Sequence, residues 1–242
     1  MAIIQQIVSA KAQSRKLLVV LIDPDKPAAV EAVCPYLSLP DMIFIGGSTG
    51  DQCETCIAQL RQTTERPILL FPGNIAQFTP TADALLFLSL LNARTPDVLI
   101  QPHIHIAQQV LQSGIETIPM GYILIDGDRK SSVEIATQCI PIPQSNIREI
   151  VSTAIAGQLL GKQLIYLEAG SGAKTPISAE IIHAVRAQLS VPLIVGGGIT
   201  TPEAMLHAFE AGADVVVIGN HFEQNPDEID EFVRIKQEKY GE

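Results

Sequence analysis

Tyr166-Leu167-Glu168-Ala169-Gly170-Ser171-Gly172-Ala173 runs from an apolar segment straight into a carboxylate and a loop of small residues. Two junctions of similar build follow, Val195-Gly196-Gly197-Gly198-Ile199 and Val217-Ile218-Gly219-Asn220. Each ends a β-branched run in residues that let backbone N–H groups approach a ligand closely. Three such ends in the last third of the chain predict one shared anion site. The loops after the last strands of a (β/α)8 barrel commonly bind phosphate. The pattern therefore sets the fold expectation.

Working outward, strand-like runs recur at 17–23, 42–47, 67–73, 84–91, 117–126, 163–170, 192–198 and 213–220. Helical patterns fall between most of them, at 27–39, 51–65, 105–113, 146–161, 178–189, 202–211 and 227–240. Asp25 suits an N-cap and Pro27 a first turn. Gly114 and Gly212 suit helix ends, and Ser178 with Glu180 suits a helix start. The third gap, 74–83, is short and holds Pro80. An irregular or extended connection is expected there. The α/β alternation favours a (β/α)8 TIM barrel modified at the third helix over an open doubly wound sheet. No linker-like stretch divides residues 1–242, so a single domain is expected.

The composition agrees with a parallel barrel. Hydrophobic residues make up 47% of 242, aromatic residues only 5%, and there is no Trp. Strands buried on both faces call for a core of this aliphatic kind. The formal charge is -10 and no basic stripe is visible, which argues against nucleic acid. An anionic substrate would need backbone dipoles or a metal ion. No apolar run approaches the ~18 residues that span a bilayer, and residues 1–16 carry no long apolar stretch. A cytoplasmic protein with no transmembrane segment is the expectation. Cys53 and Cys56 stand in a helical pattern without a second pair. They read as structural thiols, since two ligands make an incomplete metal site.

Barrel active sites form at the C-terminal ends of strands. The first end places Asp23 in Asp23-Pro24-Asp25-Lys26. One or two carboxylates plus substrate phosphates often hold Mg²⁺, and Asp23 fits that role. The same residues also read as a turn with a helix cap. The second end, Gly46-Gly47-Ser48-Thr49, offers hydroxyls to a metal or a phosphate, or a cap to the next helix. The third and fourth ends hold no acid–base residue. With Phe78, Leu86 and Phe87 they suggest an apolar side to the mouth, or plain core. Arg129 and Lys130 follow the fifth strand and suit either a diphosphate or a solvated loop. Glu168 ends the sixth. A carboxylate there costs free energy unless paired or used, and Tyr166 shares its strand face. The five histidines lack partners at ligand spacing, so none is read as a metal ligand.

Taken together, Leu21-Ile22-Asp23-Pro24-Asp25-Lys26, Phe44-Ile45-Gly46-Gly47-Ser48-Thr49-Gly50, Tyr122-Ile123-Leu124-Ile125-Asp126-Gly127, the 166–172 loop, Val195–Ile199 and Ile218-Gly219-Asn220 resemble the geranylgeranylglyceryl phosphate synthase family, including its bacterial heptaprenylglyceryl phosphate synthase members. The resemblance spans nearly the whole chain. It implies a Mg²⁺-dependent prenyltransferase of ether phospholipid biosynthesis. Such an enzyme joins sn-glycerol 1-phosphate to a polyprenyl diphosphate, here expected to be geranylgeranyl diphosphate, and releases diphosphate. It implies a barrel whose third helix is replaced by extended chain, and a homo-oligomer, dimer or higher, for which residues 140–142 are one interface candidate. By motif position it makes Asp23 and Ser48 the metal residues. Glu168 and Tyr166 become catalytic. Tyr166, Leu167, Glu168, Ala169, Gly170, Ser171 and Gly172 become the glycerol phosphate site, with Gly196, Gly197, Gly219 and Asn220 holding the phosphate.

One position departs from the pattern. Some members carry a Lys two residues before the metal-site Asp, and this chain has Leu21 there. Lys26 and Lys174 are the substitute cations considered. Two rivals stand beside the transferase: a phosphosugar isomerase or lyase on the same barrel, and a non-catalytic phosphometabolite-binding barrel. The Schiff-base version of the first needs a Lys on a strand, and no predicted strand contains one.

Overall fold

The computed structural model describes residues 1–47 and 50–241. The chain alternates strand and helix. It runs α1 (Ile3–Ala12), β1 (Leu17–Ile22), α2 (Pro27–Val33), β2 (Met42–Ile45), α3 (Cys53–Leu60), β3 (Ile68–Leu70), β4 (Ala84–Leu90), α4 (Pro96–Leu99) and α5 (Gln101–Ser113). It continues through β5 (Glu116–Leu124), α6 (Ser132–Thr137), α7 (Ile147–Leu159), β6 (Leu164–Glu168), α8 (Ala179–Arg186), β7 (Leu193–Gly196), α9 (Pro202–Ala211), β8 (Val215–Ile218), α10 (Asn220–Gln224) and α11 (Glu228–Tyr240). The strands are parallel and close in chain order, with Leu17 of β1 opposite Val215 of β8. This is a (β/α)8 TIM barrel.

Successive strand residues point to opposite faces, and the core divides accordingly. Val19, Phe44, Leu69, Leu86, Met120, Tyr166 and Val217 fill the barrel. Leu18, Val20, Ile43, Ile68, Ile165 and Val216 face the helices. The helix ends follow local chemistry. Asn146, Ser178 and Thr201 cap α7, α8 and α9 through their side chains. Gly114 and Gly212 end α5 and α9 in the left-handed region, at φ 69 and 119. Pro35 breaks the second helix, so α2 passes at Cys34 into a 3₁₀ turn well before residue 39. Asp25 is not its cap: the N-cap position is Lys26, which makes no side-chain capping bond.

α1 was not expected from the sequence. It lies across the barrel floor, with Ile3, Ile7 and Ala10 packed on the interior cluster. Glu116 at the start of β5 accepts from Ile3 N and Ile4 N at 2.6 and 2.8 Å, satisfying two first-turn amides. Ion pairs tie the same end together: Arg186 to Asp214 at 2.9 Å, and buried Lys236 to Asp41 at 2.5 Å.

The third connection departs from the repeat as expected. After β3, Asn74 accepts from Ala76 N and caps a single 3₁₀ turn, Ile75–Gln77. Gln77 is buried and its Oε1 accepts from Gly73 N at 2.8 Å. The flank of β3 and β4 is thus left without a regular covering helix. Among the described residues no helix is long and apolar enough to cross a membrane. Of the interface candidates at 140–142, Ile140 is exposed, but Ile142 is buried and bridged to Ile125, so it is core.

Candidate active site

The C-terminal end of the barrel opens into a cavity of about 730 Å³. Its polar end is walled by Asp23, Gly47, Glu168, Ser171, Gly172, Gly197, Gly219 and Asn220. The three glycine corners of β6, β7 and β8 therefore meet at one place. A short extra helix after the last strand commonly completes a barrel phosphate site, and α10 starts there with Asn220.

Alternation along β6 sorts the remaining candidates. Tyr166 and Glu168 face the cavity, while Leu167 and Ala169 point into the layer under the helices. Neither Leu167 nor Ala169 lines the cavity with its side chain. Their parity with Tyr166 and Glu168 is the physical reason. The Ala169 amide is already given to Gly196 O at 3.1 Å, and the Gly170 amide to Glu168 Oε1 at 2.7 Å. Gly170 and Gly196 thus stand one step behind the wall. The Gly170 amide holds the carboxylate, and Gly196 O holds the neighbouring Ala169 amide.

Gly197 has to be glycine. Its φ is +84, and a Cβ there would lie 2.5 Å from Glu168 Oε1 and 2.8 Å from both Ala169 N and Gly170 N. The β7 corner therefore presses directly on the Glu168 support.

Glu168 is 7% exposed. Burial pushes its carboxyl above the ordinary value, and hydrogen bonds from Tyr166 and the Gly170 amide offset part of that rise. The phenols of Tyr166 and Tyr122 are raised well above theirs, chiefly by burial, so both remain protonated. These rings belong to an aromatic floor the sequence did not announce. Phe71 stands 5.6 Å from Tyr166, 6.0 Å from Tyr122 and 6.0 Å from Phe44, and Tyr122 meets Tyr166 edge-on at 5.3 Å.

Across the rim, Asp23 Oδ1 accepts from Asp25 N at 3.1 Å. The Asp23 amide donates to Glu223 Oε1 at 3.1 Å. Lys26 Nζ sits 2.7 Å from Glu223 Oε2 and 3.5 Å from Asp23 Oδ2. Glu223 of α10 was missed by sequence reading. Its only signal is its place three residues after Asn220. Ser48, the second metal candidate, lies outside the described residues. Asp23, the carboxylate the sequence offers to a hard divalent ion, lines the polar end, faces Lys26 and abuts Gly47, whose Cβ position is 2.5 Å from Oδ1. No group of three His, Cys, Asp or Glu side chains able to hold a metal occurs among the described residues. An ion there would need substrate oxygens or water as well.

The cavity continues as an apolar groove along β4, lined by Phe87, Leu88, Val98, His103, Ile106, Val133 and Ala136. The lack of a third helix opens this side, and α5 and α6 wall it. α5 starts at Gln101, four residues before the sequence expectation, which brings Pro102 and His103 into the wall. His103 Nε2 lies 2.6 Å from Leu88 O and the ring stacks edge-on against Phe87 at 4.5 Å. Burial lowers its pKa. Phe78 packs outside, against the helix-facing core. Leu21 lines the polar end, Lys174 is exposed, and Arg129 reaches Gly172 O at 3.3 Å. Cys53 and Cys56 are buried in α3, their thiols pushed up to about 11 and about 12 mainly by burial.

Comparison with known proteins bears on this geometry. The PcrB family model matches residues 10–236. The geranylgeranylglyceryl phosphate synthase of Zunongwangia profunda is 45% identical over 226 residues, covering 91% of this chain and 97% of that one. The synthase of the same name from Korarchaeum cryptofilum is 37% identical over 219 residues, 88% of this chain and 90% of that one. The crystal structure of (S)-3-O-geranylgeranylglyceryl phosphate synthase from Thermoplasma acidophilum, in complex with sn-glycerol-1-phosphate, superposes with a TM-score of 0.89 at 29% identity, covering 100% and 99% of the two chains. With a family model matched over most of its length and relatives this similar along nearly all of theirs, the chain belongs to the PcrB family.

Proposed function

We propose that this chain transfers a polyprenyl group, geranylgeranyl being the expected one, from its diphosphate to sn-glycerol 1-phosphate. The observation that carries the reading is the single cavity that joins a glycine-rich polar end around Glu168 to an apolar groove. One end suits a phosphorylated headgroup and the other an isoprenoid tail. Burial of such a tail contributes roughly 0.8 kcal/mol per CH₂.

The headgroup phosphate lies against Gly172, Gly197, Gly219 and Asn220, where neutral donors cradle an anion. Ser171 adds a hydroxyl. Fixing the phosphate aims one glycerol hydroxyl at the allylic carbon, which removes much of the orientational cost of the reaction. The hydroxyl oxygen forms the new C–O bond. The bond from the allylic carbon to the diphosphate oxygen breaks, and diphosphate leaves with its electron pair. Glu168 Oε2 accepts the hydroxyl proton, while Oε1 stays anchored on the Gly170 amide. Its raised pKa makes Glu168 a better base than an ordinary carboxylate near neutral pH. Tyr166 donates to this carboxylate and fixes its direction. Phe71 and Tyr122 line the same cavity and supply aromatic rings near positive charge developing on the allylic carbon. Asp23, with Ser48 as the second ligand by motif position, would hold Mg²⁺. When bound, that ion supplies positive charge to the departing diphosphate.

Two measurements test the reading. Incubation with sn-glycerol 1-phosphate, Mg²⁺ and prenyl diphosphates of graded length is expected to give the glyceryl ether and free diphosphate. No diphosphate release from any donor overturns it. Glu168→Gln is expected to abolish turnover and keep glycerol phosphate binding. Near-normal turnover in that variant removes Glu168 from the chemistry.

A further inference from the structure

A glycerol phosphate brings two negative charges into a chain whose formal charge is already -10. Position 21, at the polar end of the cavity, is Leu21 and supplies none of the compensation. Lys26 lines the cavity, but its ammonium is shared between Glu223 and Asp23. Lys174 is exposed, and its backbone amide is spent on Gly127 O.

Arg129 stands differently. Its Nη1 donates to Gly172 O at 3.3 Å, a long bond to a neutral acceptor. A Cβ on Gly172 would sit 3.0 Å from Arg129 Nη1 and 3.5 Å from Asn220 Nδ2. The guanidinium, the Asn220 amide and Gly172 therefore converge at the outer edge of the cradle. Among the described residues no carboxylate lies within ion-pair range of Arg129. The loop that delivers it is tied to the β6 loop. Gly127 O accepts from Lys174 N at 2.9 Å and Thr175 N at 3.2 Å, and the Asp128 carboxylate accepts from the Thr175 hydroxyl. Asp128 adopts φ 59, a left-handed conformation uncommon outside glycine. Such a conformation persists when surrounding bonds hold it.

We infer that Arg129 binds the headgroup phosphate and supplies the charge that Leu21 does not. The inference rests on the reading of the glycine corners as the headgroup site. A guanidinium presents paired donors to phosphate oxygens. Charge-assisted bonds of this kind are stronger than the bond to Gly172 O they would replace.

The test is calorimetric titration of sn-glycerol 1-phosphate into the full chain without prenyl donor, for wild type, Arg129→Gln and Arg129→Lys, with thermal unfolding of each. Arg129→Gln keeps a donor for Gly172 O and loses the charge. It is expected to weaken binding roughly tenfold, the low end for a charged hydrogen bond because the side chain is exposed. Arg129→Lys should fall between the two, with unchanged melting. In turnover, the KM for glycerol phosphate should rise in Arg129→Gln and the KM for prenyl diphosphate should not. Binding within twofold of wild type in Arg129→Gln, or a rise confined to the prenyl diphosphate KM, overturns the role of Arg129 alone. Wild type that fails to bind glycerol phosphate overturns the headgroup site and this inference together.

Discussion

A methyl group at position 197 is the sharpest perturbation the structure offers. Gly197→Ala meets two costs. Its φ of +84 lies where an L side chain is strained, at about 1–2 kcal/mol. Its Cβ would also stand 2.5 Å from Glu168 Oε1 and 2.8 Å from two backbone nitrogens. Those nitrogens belong to the Ala169 and Gly170 amides, which are bonded to Gly196 O and Glu168. Neither can yield without breaking the support of the carboxylate. Overpacking of this kind costs about 1–3 kcal/mol. The sum is about 2–5 kcal/mol, or roughly 4–20 °C in melting temperature for a chain of this size. Gly114→Ala is the control, because it has φ +69 and nothing within 4 Å of its Cβ position. It carries the strain without the contact. Thermal unfolding of both variants, with calorimetric titration of glycerol phosphate, separates the two costs. Gly197→Ala should melt lower than Gly114→Ala and lose headgroup affinity. Equal melting of the two, with intact affinity in Gly197→Ala, would refute the view that the β7 corner buttresses Glu168.

Two further outcomes follow from other contacts. Burial raises the Glu168 carboxyl, so the folded state keeps this proton to higher pH than the unfolded chain. Stability from this group is then whole at pH below about 4 and falls as pH rises past the unfolded carboxyl range. Glu168→Gln has no proton to lose and should exceed wild type in stability at pH 8 but not at pH 4, as read from urea midpoints. A difference of the same size at both pH values contradicts the burial argument. At the barrel floor, Glu116→Ala strips the acceptor from Ile3 N and Ile4 N. By analogy with a lost helix cap it should cost about 0.5–2 kcal/mol, seen as a lower melting temperature with an unchanged KM. A melting temperature equal to wild type would mean that α1 holds without this cap.

The barrel was legible because its signal is repeated. Eight aliphatic runs alternate with helical patterns, and each run ends in residues that stop a strand. The broken third unit showed through Pro80 and the shortness of its gap. Short elements carried too little period to be read, so α6 and α10 went unseen. The i, i+4, i+7 spacing of Ile3, Ile7 and Ala10 was a usable sign of α1. Strand parity was equally available: Tyr166 and Glu168 facing inward obliges Leu167 and Ala169 to face outward. No local rule could bring Phe44, Phe71, Tyr122 and Tyr166 together, since they come from four different stretches. The same holds for Arg129 and Gly172, which are 43 residues apart. Those meetings are products of closure.

Closure also answers how so acidic a chain can host two anions. Charge is segregated around one opening. The Asp23 side keeps its carboxylates with Lys26, where a cation is already accepted. The Glu168 side places its carboxyl above an aromatic floor, where burial disfavours the charged form. Its Oε1 takes the Gly170 amide, so the charge it carries as a base is met by a donor before any phosphate binds beside it. Exposing Glu168 to water would lower its basicity, because the desolvation that raises it would be lost.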